Sequence, residues 1–337
     1  MRSGRAFLVA SLVLLLTDAS FSLRAEEPKP ALAQSEVLPA AETAHIVAIG
    51  GAVTEILYAL GLGERIVAVD TSSTYPPQAL GTKPNVGYMR ALSPEGVLAV
   101  GPSIILAQEG SGPPDAVTVL KSASVPFETV PDARTPEQVV ANIRHLAALA
   151  GVKARGEELA QAVERDFATL AAFRARIASP RSAAFILSAS GAAPVAGGRN
   201  TSADALFALA GVTNALSTMS GYKPAVDEAL MAAEPYALIV MDNRNHGLTN
   251  EALAAMPAFA GTTAAKAGRI HRVDGAYMLG FGPRTPQAAR DLMAMVYPEL
   301  NLPALPAHAW TAGSRAEPDS EPPAAPAAAP AGSGQPG

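Results

Sequence analysis

The stretch His45–Asp70, HIVAIGGAVTEILYALGLGERIVAVD, decides the fold. It opens on an apolar run bounded by Gly50, the pattern of a strand buried on both faces. Thr54-Glu55 then begins a helical stretch, TEILYALGL, closed by Gly61 and Gly63. RIVAVD at Arg65–Asp70 reads as a second strand. Strand, helix and strand in this order form the unit of a parallel α/β sheet. After a loop holding Tyr75, Pro76 and Pro77 the alternation continues. A short helix falls at Pro94–Val100, strands at Ser103–Leu106 and Val125–Val130, and a helical period over Thr135–Ala150. Residues 44–150 are therefore read as one α/β lobe.

The same pattern returns downstream. DALFALAGV from Asp204 aligns with EILYALGL from Glu55: Asp204, Leu206, Phe207 and Leu209 lie 149 residues after Glu55, Leu57, Tyr58 and Leu60. EALMAAEPYALI at 228–239 aligns with EGVLAVGPSIIL at 95–106 at an offset of 133, with Glu95 matching Glu228 and Pro102 matching Pro235. Two matches in the same order indicate a duplicated lobe, assigned to residues 181–302 with AAFIL at Ala183–Leu187 as its opening strand. Between the lobes, 151–180 holds the long helical stretch Glu157–Ile177, rich in Ala, Leu, Glu and Arg and stopped by Ser179-Pro180. The expected fold is thus α/β: two Rossmann-like lobes with parallel-type central sheets, joined by one long connector helix, with a ligand held between them.

Composition limits the function. With 25 basic and 30 acidic residues the formal charge is -5, which argues against nucleic acid as a partner. The chain has no Cys, so disulfides, thiolate chemistry, Cys-bound metals and a lipidated-cysteine anchor are excluded from the sequence given. Arg2 and Arg5 followed by the apolar run Ala6–Thr17 and small residues to Ala25 have the layout of a signal peptide, 1–25. A Pro/Glu/Ala-rich lead-in, 26–43, follows, and 303–337 reads as a Pro/Ala/Gly-rich disordered tail. The expected product is exported to a periplasm, without a lipid anchor, and monomeric.

Catalytic signals are weak. No two His have i,i+4 or His-x-His spacing, and neither Gly-x-Ser-x-Gly nor a dinucleotide or phosphate loop is present. No enzyme activity is expected. The most informative segment is Asn85–Ala91, NVGYMRA. In extended backbone Tyr88 and Arg90 share one face. A phenol is a hard oxygen donor suited to ferric iron once deprotonated, and a neighbouring cation favours that form; the plainer reading packs Tyr88 against a helix and leaves Arg90 in solvent. Arg199 in GGRNT precedes a helix N-terminus and suits a carboxylate, unless the loop is an ordinary cap. Arg244 and His246 in DNRNHG follow the strand ALIVM and are two apart, in a ligand loop or a solvated turn. Tyr277, Met278 and Phe281 in GAYMLGFG are either core or an apolar wall for a flat ligand.

With these residues in view, the chain resembles periplasmic haem-binding proteins of bacterial ABC importers, within the siderophore- and cobalamin-type binding-protein superfamily, over about residues 45–300. The resemblance rests on GAVTEILYALGLGERIVAVDTSSTYP at 51–76, NVGYMRALSPEGVLAVGPSIILA at 85–107, AGGRNTSADALFALAG at 196–211 and YMLGFGPRTPQAARDL at 277–292. It implies a helical-backbone binding-protein fold and ferric haem b as the transported ligand. It further implies Tyr88 as axial iron ligand with Arg90 beside it, and Arg244 near a propionate. The loop LSASGAAPVAGGRN lacks the histidine that some members supply, so five-coordinate iron is expected, with His246 a weaker alternative ligand. An inner-membrane ABC permease with its ATPase is the implied partner, met by one acid on each lobe, Glu55 and Glu228. A ferric-siderophore or cobalamin-type corrinoid carrier is the alternative.

Overall fold

The structure is a computed structural model and describes residues 44–189, 193–225, 227–242 and 248–312, all within one compact unit. The signal segment 1–25, the lead-in 26–43, Arg244, His246 and the tail beyond 312 lie outside the described residues.

The first half runs β1 (Ile46–Ile49), α1 (Gly51–Ala59), β2 (Ile66–Val69), α2 (Gln78–Thr82), α3 (Pro94–Leu98), β3 (Ile104–Gln108), α4 (Pro114–Ser122), β4 (Phe127–Val130) and α5 (Pro136–Leu149). Its four strands are all parallel, in the order β2-β1-β3-β4. The continuous apolar runs follow from burial on both faces. Ile46, Ala48, Ile104 and Leu106 enter one core while Val47, Ile49, Ile105 and Ala107 enter another, the period of two that a strand imposes.

The connector is α6 (Lys153–Arg174), a rod of 22 residues, about 33 Å at the usual rise. It starts four residues before the expected Glu157 because Gly156 lies within it. A Cβ there would lie 2.2 Å from that of Ala147, so this glycine lets α5 and α6 approach closely rather than ending a helix. Arg144 of α5 then clasps Glu157 at 2.8 Å and Glu164 at 3.0 Å. That hydrogen bond holds the Glu157 carboxyl down at about 2.

The second half runs β5 (Ser182–Ser188), β6 (Val195–Gly197), α7 (Ser202–Leu209), β7 (Thr213–Asn214), β8 (Tyr222–Pro224), α8 (Asp227–Ala233), β9 (Ala237–Met241), α9 (Asn250–Ala255), α10 (Pro257–Ala260), α11 (Thr263–Lys266), β10 (Ile270–Val273), α12 (Gly275–Leu279) and α13 (Thr285–Val296). Strands β7-β5-β9-β10 are parallel neighbours and reproduce the order β2-β1-β3-β4. Strand β9 begins 133 residues after β3, as the sequence match requires. The second sheet departs from a purely parallel form at one edge, where β6 pairs antiparallel with β5 and β8 antiparallel with β6. Strand β6 intervenes between β5 and α7, whereas the stretch from β7 to β9 is shorter than that from β2 to β3, which is why the two sequence matches carry different offsets.

Faces turned inward from both sheets share one continuous core. Ile46, Ile56 and Leu106 belong to the same buried cluster as Phe185, Phe207, Ile239 and Leu292, with Leu159, Val163 and Phe167 of α6 among them. Burial at roughly 25 cal/mol per Å2 makes a shared core of this kind a strong opponent of lobe separation. Part of the expected tail is instead fixed against the fold: within 303–312 Leu305 is buried, although most of the stretch is exposed. His308 stacks on Trp310 at 4.3 Å and bonds the buried Asp166 of α6 through Nε2 at 2.9 Å. The Tyr75 hydroxyl donates to the carbonyls of Trp310 and Ala312, both at 2.8 Å.

Candidate functional site

In an open parallel sheet, ligands bind outside the carboxyl ends of the strands. At that edge of the first sheet lies the segment 85–92. Val86 donates to the Val69 carbonyl at the end of β2, and Thr71 donates to that of Gly87, both at 2.9 Å. Gly112, beyond β3, donates to the Met89 carbonyl and accepts from Leu92, both at 2.8 Å. Val86, Met89 and Leu92 are buried, whereas Tyr88 and Arg90 are exposed. Tyr88 is 49% exposed, one of three large apolar side chains left in solvent among the described residues. Gly87 has φ 95, a left-handed turn that only glycine adopts readily, and it turns the chain into Tyr88. Tyr88 is therefore not packed into the interior: Val86, Met89 and Leu92 are buried, and its side chain is half-exposed.

Asp70, which sequence reasoning treated only as the end of a strand, anchors this edge. It is fully buried. Its Oδ1 accepts from the Gly50 amide at 2.8 Å and the Ser73 hydroxyl at 2.9 Å. Its Oδ2 accepts from the Ser72 amide at 3.0 Å and the Met89 amide at 3.2 Å. A second missed residue, Arg134, follows β4. Its Nη2 pairs with Asp132 at 3.1 Å, and its Nη1 donates to the Asn200 carbonyl at 2.5 Å. That bond brings the Gly198–Thr201 loop of the second half against the first. Arg199 is exposed in this loop, and the Thr201 hydroxyl caps α7 by accepting from the Asp204 amide at 3.1 Å.

Two groups of expected site residues lie elsewhere. Tyr277, Met278 and Phe281 are 6%, 1% and 3% exposed and belong to the shared core, so they offer no wall to a ligand. The Tyr277 hydroxyl donates to Asp291 at 2.9 Å; burial, and then that carboxylate, push its phenol pKa far upward. Glu55 is not a surface acid. Helix α1 begins at Gly51, so Glu55 falls inside it, 6% exposed. It accepts from the Arg284 amide at 2.9 Å and pairs with that guanidinium at 2.8 Å. Arg284 in turn lies 3.4 Å over the Tyr75 ring. A docking role for Glu55 is incompatible with this burial. Glu228 lies in α8, and Arg244 and His246 fall just beyond β9, outside the described residues. No three His, Asp or Glu side chains converge as a metal-ion site among the described residues.

Duplicated α/β halves on a helical connector, with loops from both meeting through Arg134 and Asn200, define a bilobal solute-binding protein. The chain belongs to the periplasmic binding protein family, which it matches over residues 46–277, and is a substrate-binding protein of an ABC importer. Among solved structures it is similar to the periplasmic haem-binding protein RhuT from Roseiflexus sp. RS-1 in apo form, at 36% identity and a TM-score of 0.73, covering 77% of this chain and 99% of that one. It is also similar to the periplasmic haem-binding protein BhuT in complex with two haems, at 37% identity and a TM-score of 0.72, covering 76% of this chain and 98% of that one. Among curated proteins, the ABC transporter substrate-binding lipoprotein YvrC of Bacillus subtilis (strain 168), described as uncharacterized, is 26% identical over 261 residues, 77% of this chain and 81% of its own. The vitamin B12-binding protein of Pectobacterium carotovorum subsp. carotovorum (strain PC1) is 31% identical over 122 residues, 36% of this chain and 42% of its own. No helix of the described residues is long and apolar enough to cross a membrane.

Proposed function

We propose that the protein captures ferric haem b in the periplasm and delivers it to an inner-membrane ABC permease with its ATPase, acting as a monomeric carrier without catalysis. The observation that carries this reading is Tyr88: a half-exposed phenol on a segment whose flanking residues are held by buried packing and backbone hydrogen bonds. An anionic oxygen ligand stabilises Fe(III) over Fe(II). Arg90, exposed two residues on, pairs with a haem propionate; Arg199 and Arg244 are the second-lobe candidates for the other propionate. The similarity to RhuT and BhuT supports the haem reading. The B12-binding relative supports a corrinoid as the competing cargo.

Titrating the purified protein with ferric haem tests this directly. The expected result is a saturable, high-spin, tyrosinate-type absorption spectrum that Tyr88→Ala abolishes. Saturable cobalamin binding with no defined haem spectrum would instead select the corrinoid reading.

For docking we assign the first-lobe acid to Glu95. It is exposed in the first turn of α3 and is the repeat partner of Glu228, 133 residues apart. Hydrogen bonds from its own amide and the Ser93 hydroxyl lower its pKa and keep it anionic at neutral pH.

A further inference from the structure

We infer that Asp70 is a positioning residue for cargo binding, fixing the segment that presents Tyr88 before any ligand arrives. The inference rests on Tyr88 being the cargo ligand. Asp70 stands at the end of β2, and three of its four donors, Gly50, Ser72 and Ser73, belong to the corner between β1, α1 and β2. The fourth, the Met89 amide, comes from the loop, 19 residues further along the chain. With the Thr71 amide on the Gly87 carbonyl, it brackets Tyr88 on both sides. Only a group that accepts at both oxygens meets four converging donors, and a carboxylate does so without needing any proton of its own. The Ser73 hydroxyl is also tied to Thr54 of α1 at 2.7 Å. The carboxylate thereby couples the phenol-bearing loop to the most buried part of the first lobe, while the phenol itself stays outward. Pre-organisation of this kind raises affinity because the loop loses no freedom on binding. Residues that orient a metal ligand typically contribute about 10–100-fold in affinity.

The test compares Asp70→Ala with wild type and with Ser73→Ala, which removes one donor from Oδ1 and leaves the Met89 bond intact. Ferric haem is titrated into each, folding is checked by circular dichroism, and the tyrosinate-type spectrum is read. Asp70→Ala is expected to bind haem about 10–100-fold more weakly with a distorted or absent tyrosinate signature. Ser73→Ala is expected to lower the melting temperature with an unchanged signature. A folded Asp70→Ala with wild-type spectrum and affinity overturns the inference. Amide exchange in the unmodified protein without haem provides the second arm, should Asp70→Ala fail to fold. The Met89 amide is expected to be protected before ligand is added, and exchange at the rate of an unstructured peptide overturns the inference. If wild-type protein shows no tyrosinate spectrum at all, the haem reading fails. The exchange result still decides whether Asp70 pins the loop.

Discussion

Glu55 and Tyr88 show what depth does to a side chain's role. In the sequence both stand out for their chemistry, an acid suited to docking and a phenol suited to iron. Glu55 faces Arg284, 229 residues away, and nothing in local spacing marks that partner. Tyr88 stands out in NVGYMRA by its chemistry, but the extended backbone expected there is a turn, with the Ala91 amide donating to the Tyr88 carbonyl at 2.8 Å; Val86 and Met89 pack, and the phenol and guanidinium remain outside. Asp70 was not legible as an anchor, because its donors are set by the corner's three-dimensional closure rather than by a motif. Removing one partner of a buried ion pair leaves an uncompensated charge and typically costs about 3–5 kcal/mol. Glu55→Ala is therefore expected to lower denaturant stability by about that amount, measured by urea unfolding. A change within error would mean that Arg284 finds water instead.

At the scale of elements, the duplicated parallel order was readable from two short repeats, since helix, turn and strand recur with their apolar period intact. The antiparallel pair β6 and β8 escaped notice: each spans 3 residues, too few for alternation to show. Pro-rich composition also concealed the docked segment 303–312, whose order comes from tertiary contacts with Asp166 and Tyr75 rather than from any period. That segment leaves the end of α13 and reaches both the connector and the first lobe, tying them together. His308→Ala deprives the buried Asp166 of one of its two side-chain partners among the described residues, His308 and Gln287. The expected cost is about 1–3 kcal/mol, read as a lowered melting temperature. An unchanged melting temperature would show that the segment adds nothing to the fold.

For the whole molecule, the core shared by both sheets and α6 favours small tilts over wide opening, so on the proposed function cargo release would fall to contacts made by the permease. Those contacts are expected at Glu95 and α8. Glu95→Lys is expected to leave haem titration unchanged and to reduce haem-loaded stimulation of the transporter's ATPase in reconstituted vesicles. Full stimulation by that variant would place docking elsewhere. The most direct measurement of the central claim is the absorption spectrum of the protein titrated with ferric haem, set beside Tyr88→Ala under the same conditions. The expected outcome is a high-spin tyrosinate spectrum in wild type that is lost in the variant. An identical spectrum and affinity in both proteins would contradict it.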